Sequence, residues 1–206
     1  MECLDTYDEN KKFIGKYPRD VVHRDALWHN TVHCWLYVKE GNVYFQIRKE
    51  EQTFYTTASG HVDAGETIKK AFGREIKEEI GINVDYEKAI LLDVVTWKMD
   101  KIKKDGSVFK DRAFANVYAL EIIEEQLEFD FDPNEVSGLV MVNAKDALKL
   151  FQVEIGKIPA KIIKQIDGKI TFSASMVDSK DFLVNEHETA IEKYGAVLNK
   201  IIELTS

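Results

Sequence analysis

Apolar residues follow two rhythms along this chain, one with the period of a strand and one with that of a helix. Residues 31–38 (TVHCWLYV) and 42–48 (NVYFQIR) are apolar, β-branched and aromatic runs on either side of Glu40-Gly41. That pattern predicts a hairpin. A further strand is predicted from about Phe54 into Gly60. The rhythm then changes to a helical one, and a helix is predicted from Glu66 to Ile80. Strands follow at about 88–97 (KAILLDVVTW), 113–122 (AFANVYALEI) and 136–142 (VSGLVMV). The charged run 101–111, with the turn signal Asp105-Gly106, reads as an exposed loop, and 128–135 reads as an acidic loop. Asn143 or Ala144 opens a helix to about Phe151. In the last fifty residues, Ile191, Tyr194, Leu198, Ile201 and Ile202 recur at helical spacing. This predicts a C-terminal helix on the core or on a second subunit, the latter making a homodimer. Strands, helix, strands, helix suit an α/β fold with a mixed sheet between helices. The expected division is a main unit over 1–152 and a C-terminal helical extension over 153–206 packed on it as one domain.

Composition narrows the class. A length of 206 residues with 45% hydrophobic content is enough for one sizeable core. A net charge of −8 argues against a nucleic-acid polymer or an anionic membrane surface as partner. It does not argue against a small phosphorylated substrate, whose charge a metal ion neutralises locally. Cys3 and Cys34 form no CxxC pair or disulfide framework. The start, MECLDTYDENKKF, lacks the apolar region of a signal peptide, and no run approaches the roughly 20 apolar residues of a membrane span. A cytoplasmic protein is expected.

The chemistry concentrates in Gly60 to Ile82, GHVDAGETIKKAFGREIKEEIGI. At about 100° per residue, Glu75 and Glu79 fall within roughly 20° of Ile68, among Ala71, Phe72 and Ile76, with Glu78 on one flank. The lysines and Arg74 fall on the far side. Like charges at i and i+4 on an apolar face repel each other and resist burial. Such a cluster takes up a proton at a raised pKa or is neutralised by a cation. Carboxylate oxygens on one rigid face suit Mg²⁺ or Mn²⁺. The ordinary alternative for ExxEE is a solvated acidic stripe, which the phase against the apolar face disfavours.

This segment resembles the Nudix box, G-x5-E-x7-R-E-U-x-E-E-x-G-U with U aliphatic. Gly60, Glu66, Arg74, Glu75, Ile76, Glu78, Glu79, Gly81 and Ile82 fill every specified position. The resemblance implies an α/β/α sandwich and a loop–helix–loop that binds divalent metal and hydrolyses a diphosphate bond. It implies Glu75, Glu78 and Glu79 as metal-binding carboxylates, the Gly60 carbonyl as a backbone ligand, and an Arg74–Glu66 ion pair that orients the helix and the first carboxylate. Gly81 would let the chain leave the helix, and Gly73 would mark a close-packing point. A small-molecule diphosphate, of the nucleotide class first, is the expected substrate. Water would attack phosphorus with one to three Mg²⁺ bound and a carboxylate taking the proton. Glu75 or Glu78 is the first candidate for that base, and Glu135, ahead of the strand at 136, is the candidate outside the box.

Residues 19–35 (RDVVHRDALWHNTVHCW) and 58–66 (ASGHVDAGE) are similar to the branch that holds isopentenyl-diphosphate isomerase and its hydrolase relatives. Those isomerases use a Cys before the Gly-His pair and a Glu in the strand after the box, and they bind metal through several histidines. Here Ser59 and Ala113 stand at those places. A serine hydroxyl has too high a pKa to replace the thiol unaided, which favours hydrolase over isomerase. His23, His29, His33 and His61 could bind metal, His61 foremost because it adjoins Gly60; hydrogen-bonded, partly buried histidines are the plainer alternative. Trp28, Trp35, Trp97 and Phe109 could stack on a base or belong to the core. A third reading is a non-catalytic nucleotide-binding sensor, which the intact box disfavours.

Overall fold

The computed structural model describes residues 2–102, 106, 108–123, 127–184 and 188–206. Along them run β1 (Cys3–Tyr7), β2 (Phe13–Pro18), α1 (Arg19–Arg24), β3 (Trp28–Tyr37), β4 (Asn42–Arg48), β5 (Phe54–Thr56) and β6 (Ala58–His61). Then come α2 (Ile68–Ile80), β7 (Ile90–Ile102), β8 (Val108–Glu121), β9 (Val136–Asn143), α3 (Ala144–Phe151), β10 (Ile158–Ile166), β11 (Lys169–Val177) and α4 (Ala190–Leu204). The main path of the sheet is β11-β10-β9-β4-β3-β1-β2, with β5 on β4, and β6 and β8 on β3. The β3–β8 pair is parallel over His29–Tyr37, while the remaining ladders are antiparallel, so the sheet is mixed.

Strand alternation sends β3 side chains to two cores. Val32, Cys34 and Leu36 join Ala71, Phe72, Ile76 and Ile80 of α2. Trp35 and Tyr37 join Ala147, Leu150 and Phe151 of α3 and Tyr194, Leu198 and Ile201 of α4. Burial on both faces is why residues 31–38 read as a continuous apolar run. Trp28 also lies in the interior, stacked on Phe114 at 4.8 Å.

Four local expectations change. The run from Phe54 to Gly60 is two strands, broken at Thr57. The buried Thr57 hydroxyl accepts from Leu36 N of β3 and donates to Tyr44 O of β4. It thereby bridges two strands that otherwise pair only at Tyr37↔Val43. The split sends β5 to β4 and β6 to β3, opening the sheet between them. Second, α2 begins at Ile68 rather than Glu66, because Thr67 caps it through a bond from Lys70 N. Third, much of 101–111 is strand: β7 and β8 pair as far as Ile102↔Val108, and the Asp105 part of the turn lies outside the described residues. Fourth, the described residues after 152 hold one α-helix, α4, and a single 3-10 turn at Ser179–Asp181. Residues 158–177 form a hairpin on β9, with Asp167 and Gly168 at φ 51° and 72° supplying the left-handed two-residue turn.

Candidate active site

The cleft forms where the sheet opens beside α2. The buried face of α2 comprises Ala71, Phe72, Glu75, Ile76, Glu79 and Ile80, so the two glutamates share the apolar face that their spacing predicts. Gly81 ends the helix at φ 80°, and a Cβ there would lie 2.5 Å from the Asp130 carbonyl oxygen. A Cβ on Gly73 would lie 2.9 Å from the Tyr86 ring, so the mid-helix glycine is a close-packing point. At Gly60 on β6, a Cβ would lie 2.2 Å from the Glu75 carboxyl carbon, so the backbone passes in contact with that carboxyl group.

Arg74 organises the acidic side. Its Nη2 donates to Glu66 Oε2 at 2.9 Å and to the His61 carbonyl at 2.8 Å, and its Nε donates to Glu66 Oε1 at 3.1 Å. Its Nη1 donates to Glu75 Oε1 at 2.7 Å and Glu78 Oε2 at 2.9 Å. Burial disfavours the Arg74 charge, but the bonds to Glu66 and Glu75 outweigh it and raise its pKa. Glu66 thus fixes Arg74, and Arg74 fixes Glu75.

No cation among the described residues pairs with Glu79. Its Oε2 accepts from Gln46 Nε2 at 2.8 Å and from Ser59 N at 3.2 Å, both neutral donors. Burial, with the neighbouring charges of Glu75 and Glu135, pushes its carboxyl well above the usual range. Burial pushes Glu75 up to about 7 despite Arg74. Two neighbouring buried carboxylates, both with raised proton affinity, are what a cation would satisfy. Glu78 lies further out, with 58% of its side chain exposed. Glu135 lines the same cleft, and its side chain has no hydrogen-bond partner among the described residues.

A second group of potential ligands lies beside the cleft, reached through His61, whose carbonyl accepts from Arg74. His23 of α1, His29 of β3 and His61 of β6 place one ligand atom each within 4.8 Å of one another. The described residues hold no equally tight group of three glutamates, since the Arg74 guanidinium joins Glu75 to Glu78. His23 Nδ1 and His29 Nδ1 lie 2.9 and 3.1 Å from the carbonyls of Arg19 and Leu27, which leaves Nε2 of both rings without the proton. His29 Nε2 and Asp111 Oδ1 lie 3.5 Å apart, both buried and both without a hydrogen bond. Burial lowers His23 to about 4 and His29 to about 3, so the rings are neutral and could ligate. Nδ1 of His61 faces Glu2 at 3.3 Å. His33 stands apart, beside Tyr55 at 6.1 Å.

The cleft encloses about 830 Å³ and also takes in Arg48, Tyr55, Trp97, Phe109, Leu183 and Lys193. Trp97 and Phe109 are therefore wall residues, whereas Trp28 and Trp35 belong to the interior. Sequence reasoning passed over Gln46, Asp111 and Lys193. A lone polar residue in the apolar run NVYFQIR was a signal for Gln46. Asp111 was hidden inside a run read as loop, and Lys193 lies on a helix assigned only to packing.

The NUDIX domain family matches residues 27–164, a span that runs past 152 into β10. The chain is 30% identical to an uncharacterized Nudix hydrolase of Clostridium acetobutylicum, over 97% of this chain and 88% of that protein. It is 29% identical to Nudix hydrolase 3 of Arabidopsis thaliana, over 61% of this chain but 17% of that protein. Among solved structures, DR0079 from Deinococcus radiodurans superimposes with a TM-score of 0.52 at 21% identity, covering 74% of this chain and 89% of that one. That likeness establishes the shared fold.

Proposed function

The chain belongs to the Nudix hydrolase family, and on that premise we propose that it cleaves a small-molecule diphosphate, of the nucleotide class first, with Mg²⁺ or Mn²⁺ bound. The supporting observation is the pair Glu75 and Glu79, buried together at the cleft where Gly60 touches the Glu75 carboxyl group. Glu75, Glu79, Glu78 and the Gly60 carbonyl would hold the ion. When bound, it would neutralise diphosphate oxygens and acidify water. The chain's own residues do the rest. Arg74 fixes Glu75 and keeps its charge from meeting that of Glu78 unscreened. Gln46 and the Ser59 amide fix Glu79. The water oxygen bonds to phosphorus as the bridging P–O bond breaks, leaving two phosphate products, and a carboxylate takes the water's proton. Glu135 suits that task best, because Arg74 holds Glu75 and Glu78 while the Glu135 side chain has no hydrogen-bond partner among the described residues.

His23, His29, His61 and Asp111 form a second place for a divalent ion, and this favours kinship with the isomerase-like branch. Its proton-transfer pair is nevertheless missing: β8 presents the buried Ala113 beside His29, and Ser59 stands before Gly60. Hydrolysis needs neither group. The two unpaired cysteines agree with the cytoplasm as the site of action. Purified protein should cleave members of a panel of nucleoside polyphosphates, nucleotide sugars and prenyl diphosphates, read as phosphate or pyrophosphate released directly or, for nucleotide sugars, as phosphate freed from the two phosphomonoester products by added phosphatase, and EDTA should abolish the cleavage. No turnover of any member with Mg²⁺ or Mn²⁺ would favour the sensor reading.

A further inference from the structure

Helix α4 does more than cover the core, because its Lys193 reaches the wall of the cleft. Only 12% of that side chain is exposed. Its ammonium lies 5.1 Å from the centre of the Tyr55 ring and 5.6 Å from those of Trp97 and Tyr194. Aromatic faces attract the charge but are poor substitutes for oxygen acceptors. The Glu188 carboxylate is 3.8 Å away, too far for a hydrogen bond. No oxygen among the described residues accepts from Lys193.

Arg48 of β4 lies over the same Tyr55 ring at 5.4 Å, and its charge opposes that of Lys193. In a chain of net charge −8, β4 and α4 bring two cations to the cleft, each with one carboxylate near it, Glu51 at 3.1 Å from Arg48 and Glu188 at 3.8 Å from Lys193, while α2 brings the buried carboxylates. A partly desolvated ammonium with unused donors beside a second cation is stabilised most by an anion. Neither Lys193 nor Arg48 bonds to the Glu75–Glu79 group, where the diphosphate being cleaved belongs, so the anion here is a different group.

We propose that Lys193, with Arg48 beside it, binds a further phosphate of the substrate, one outside the bond being cleaved. This deepens the hydrolase reading and rests on it for the word substrate. It makes the C-terminal extension part of the specificity apparatus and ranks substrates with an outer phosphate above those without one.

The test uses the full chain as wild type, Lys193→Met and Lys193→Arg. Methionine keeps most of the packing without the charge, and arginine restores the charge. Binding of inorganic tripolyphosphate is measured by calorimetry in EDTA. Kd should rise about tenfold or more in Lys193→Met, the loss of one charge-assisted hydrogen bond, and should stay within about threefold in Lys193→Arg. With Mg²⁺ and a nucleoside triphosphate, KM should rise by a similar factor while kcat holds, and arginine should again rescue it. Equal tripolyphosphate affinity in Lys193→Met and wild type, or no wild-type binding up to millimolar concentration, overturns the proposal. Lys193-dependent binding without any turnover would instead overturn the hydrolase reading and leave the anion site standing.

Discussion

Gly60→Ala isolates the contact on which the proposed metal site depends. The backbone at Gly60 is not in the left-handed region, so strand geometry tolerates alanine. The obstacle is Glu75: the new methyl carbon would lie 2.2 Å from its carboxyl carbon and Oε1 and 2.3 Å from Oε2. Carbon and oxygen normally approach to about 3.3 Å, so the carboxyl group must move by about 1 Å. Arg74 resists, since its Nη1 holds Oε1 at 2.7 Å. An off-rotamer Glu75 costs about 0.5–1.5 kcal/mol, so the fold should survive. Catalysis should suffer more, because a displacement of about 1 Å in a reacting constellation costs about 100-fold, or nearly 3 kcal/mol of barrier. The assay is Mg²⁺-dependent phosphate release beside a thermal melt. A loss of about 100-fold in kcat, with a weaker Mg²⁺ response and a near-native Tm, is expected. Wild-type turnover with wild-type Mg²⁺ dependence would refute the reasoning.

Three further outcomes follow from the structure. Deleting residues 185–206 removes the buried Tyr194, Leu198 and Ile201, each apolar side chain contributing up to about 1.5–3 kcal/mol, so Tm should fall or the protein become insoluble; an unchanged Tm would show a loose tail, and sedimentation of any soluble product would reveal a lost dimer contact. Incubation with isopentenyl diphosphate and Mg²⁺ should give no dimethylallyl diphosphate, since Ser59 and Ala113 provide no proton-transfer pair, and product at enzymatic rates would restore the isomerase reading. His33 is held down to about 4 by burial and then by the Lys193 charge, so its contribution is fully present above the unfolded value of about 6.5 and is lost as pH falls toward 4. Urea titrations at pH 7 and 5 should show His33→Gln losing less stability on acidification than wild type, by on the order of 1 kcal/mol, and identical losses would contradict this.

The helix carrying the box was legible because periodicity alone placed Glu75 and Glu79 on the buried face, and both are there. The strand at 54–60 was legible as extended chain but not as two strands, because its break depends on Thr57 reaching backbone groups 13 and 21 residues away. The hairpin at 158–177 carried a turn signal in Asp167-Gly168. Its outer strand exposes Phe172 and Met176, which blurs the alternation that marks a half-buried strand. The histidines show where sequence spacing stops being informative. His29 and His33 share one face of β3, yet only His29 meets His23 and His61, since that meeting depends on how α1 and β6 cross β3. Lys193 could not be placed at all, because a lysine on an amphipathic helix is ordinarily a solvated one.

The most direct measurement is Mg²⁺-dependent turnover by Glu79→Gln. Glutamine keeps the volume and an oxygen for Gln46 and Ser59 N to donate to, while removing a buried charge that no cation among the described residues pairs with. Tm should therefore hold or rise. The account predicts that kcat falls by two or more orders of magnitude at saturating Mg²⁺, on whichever diphosphate the wild type cleaves. Wild-type turnover by Glu79→Gln at saturating Mg²⁺ would contradict it.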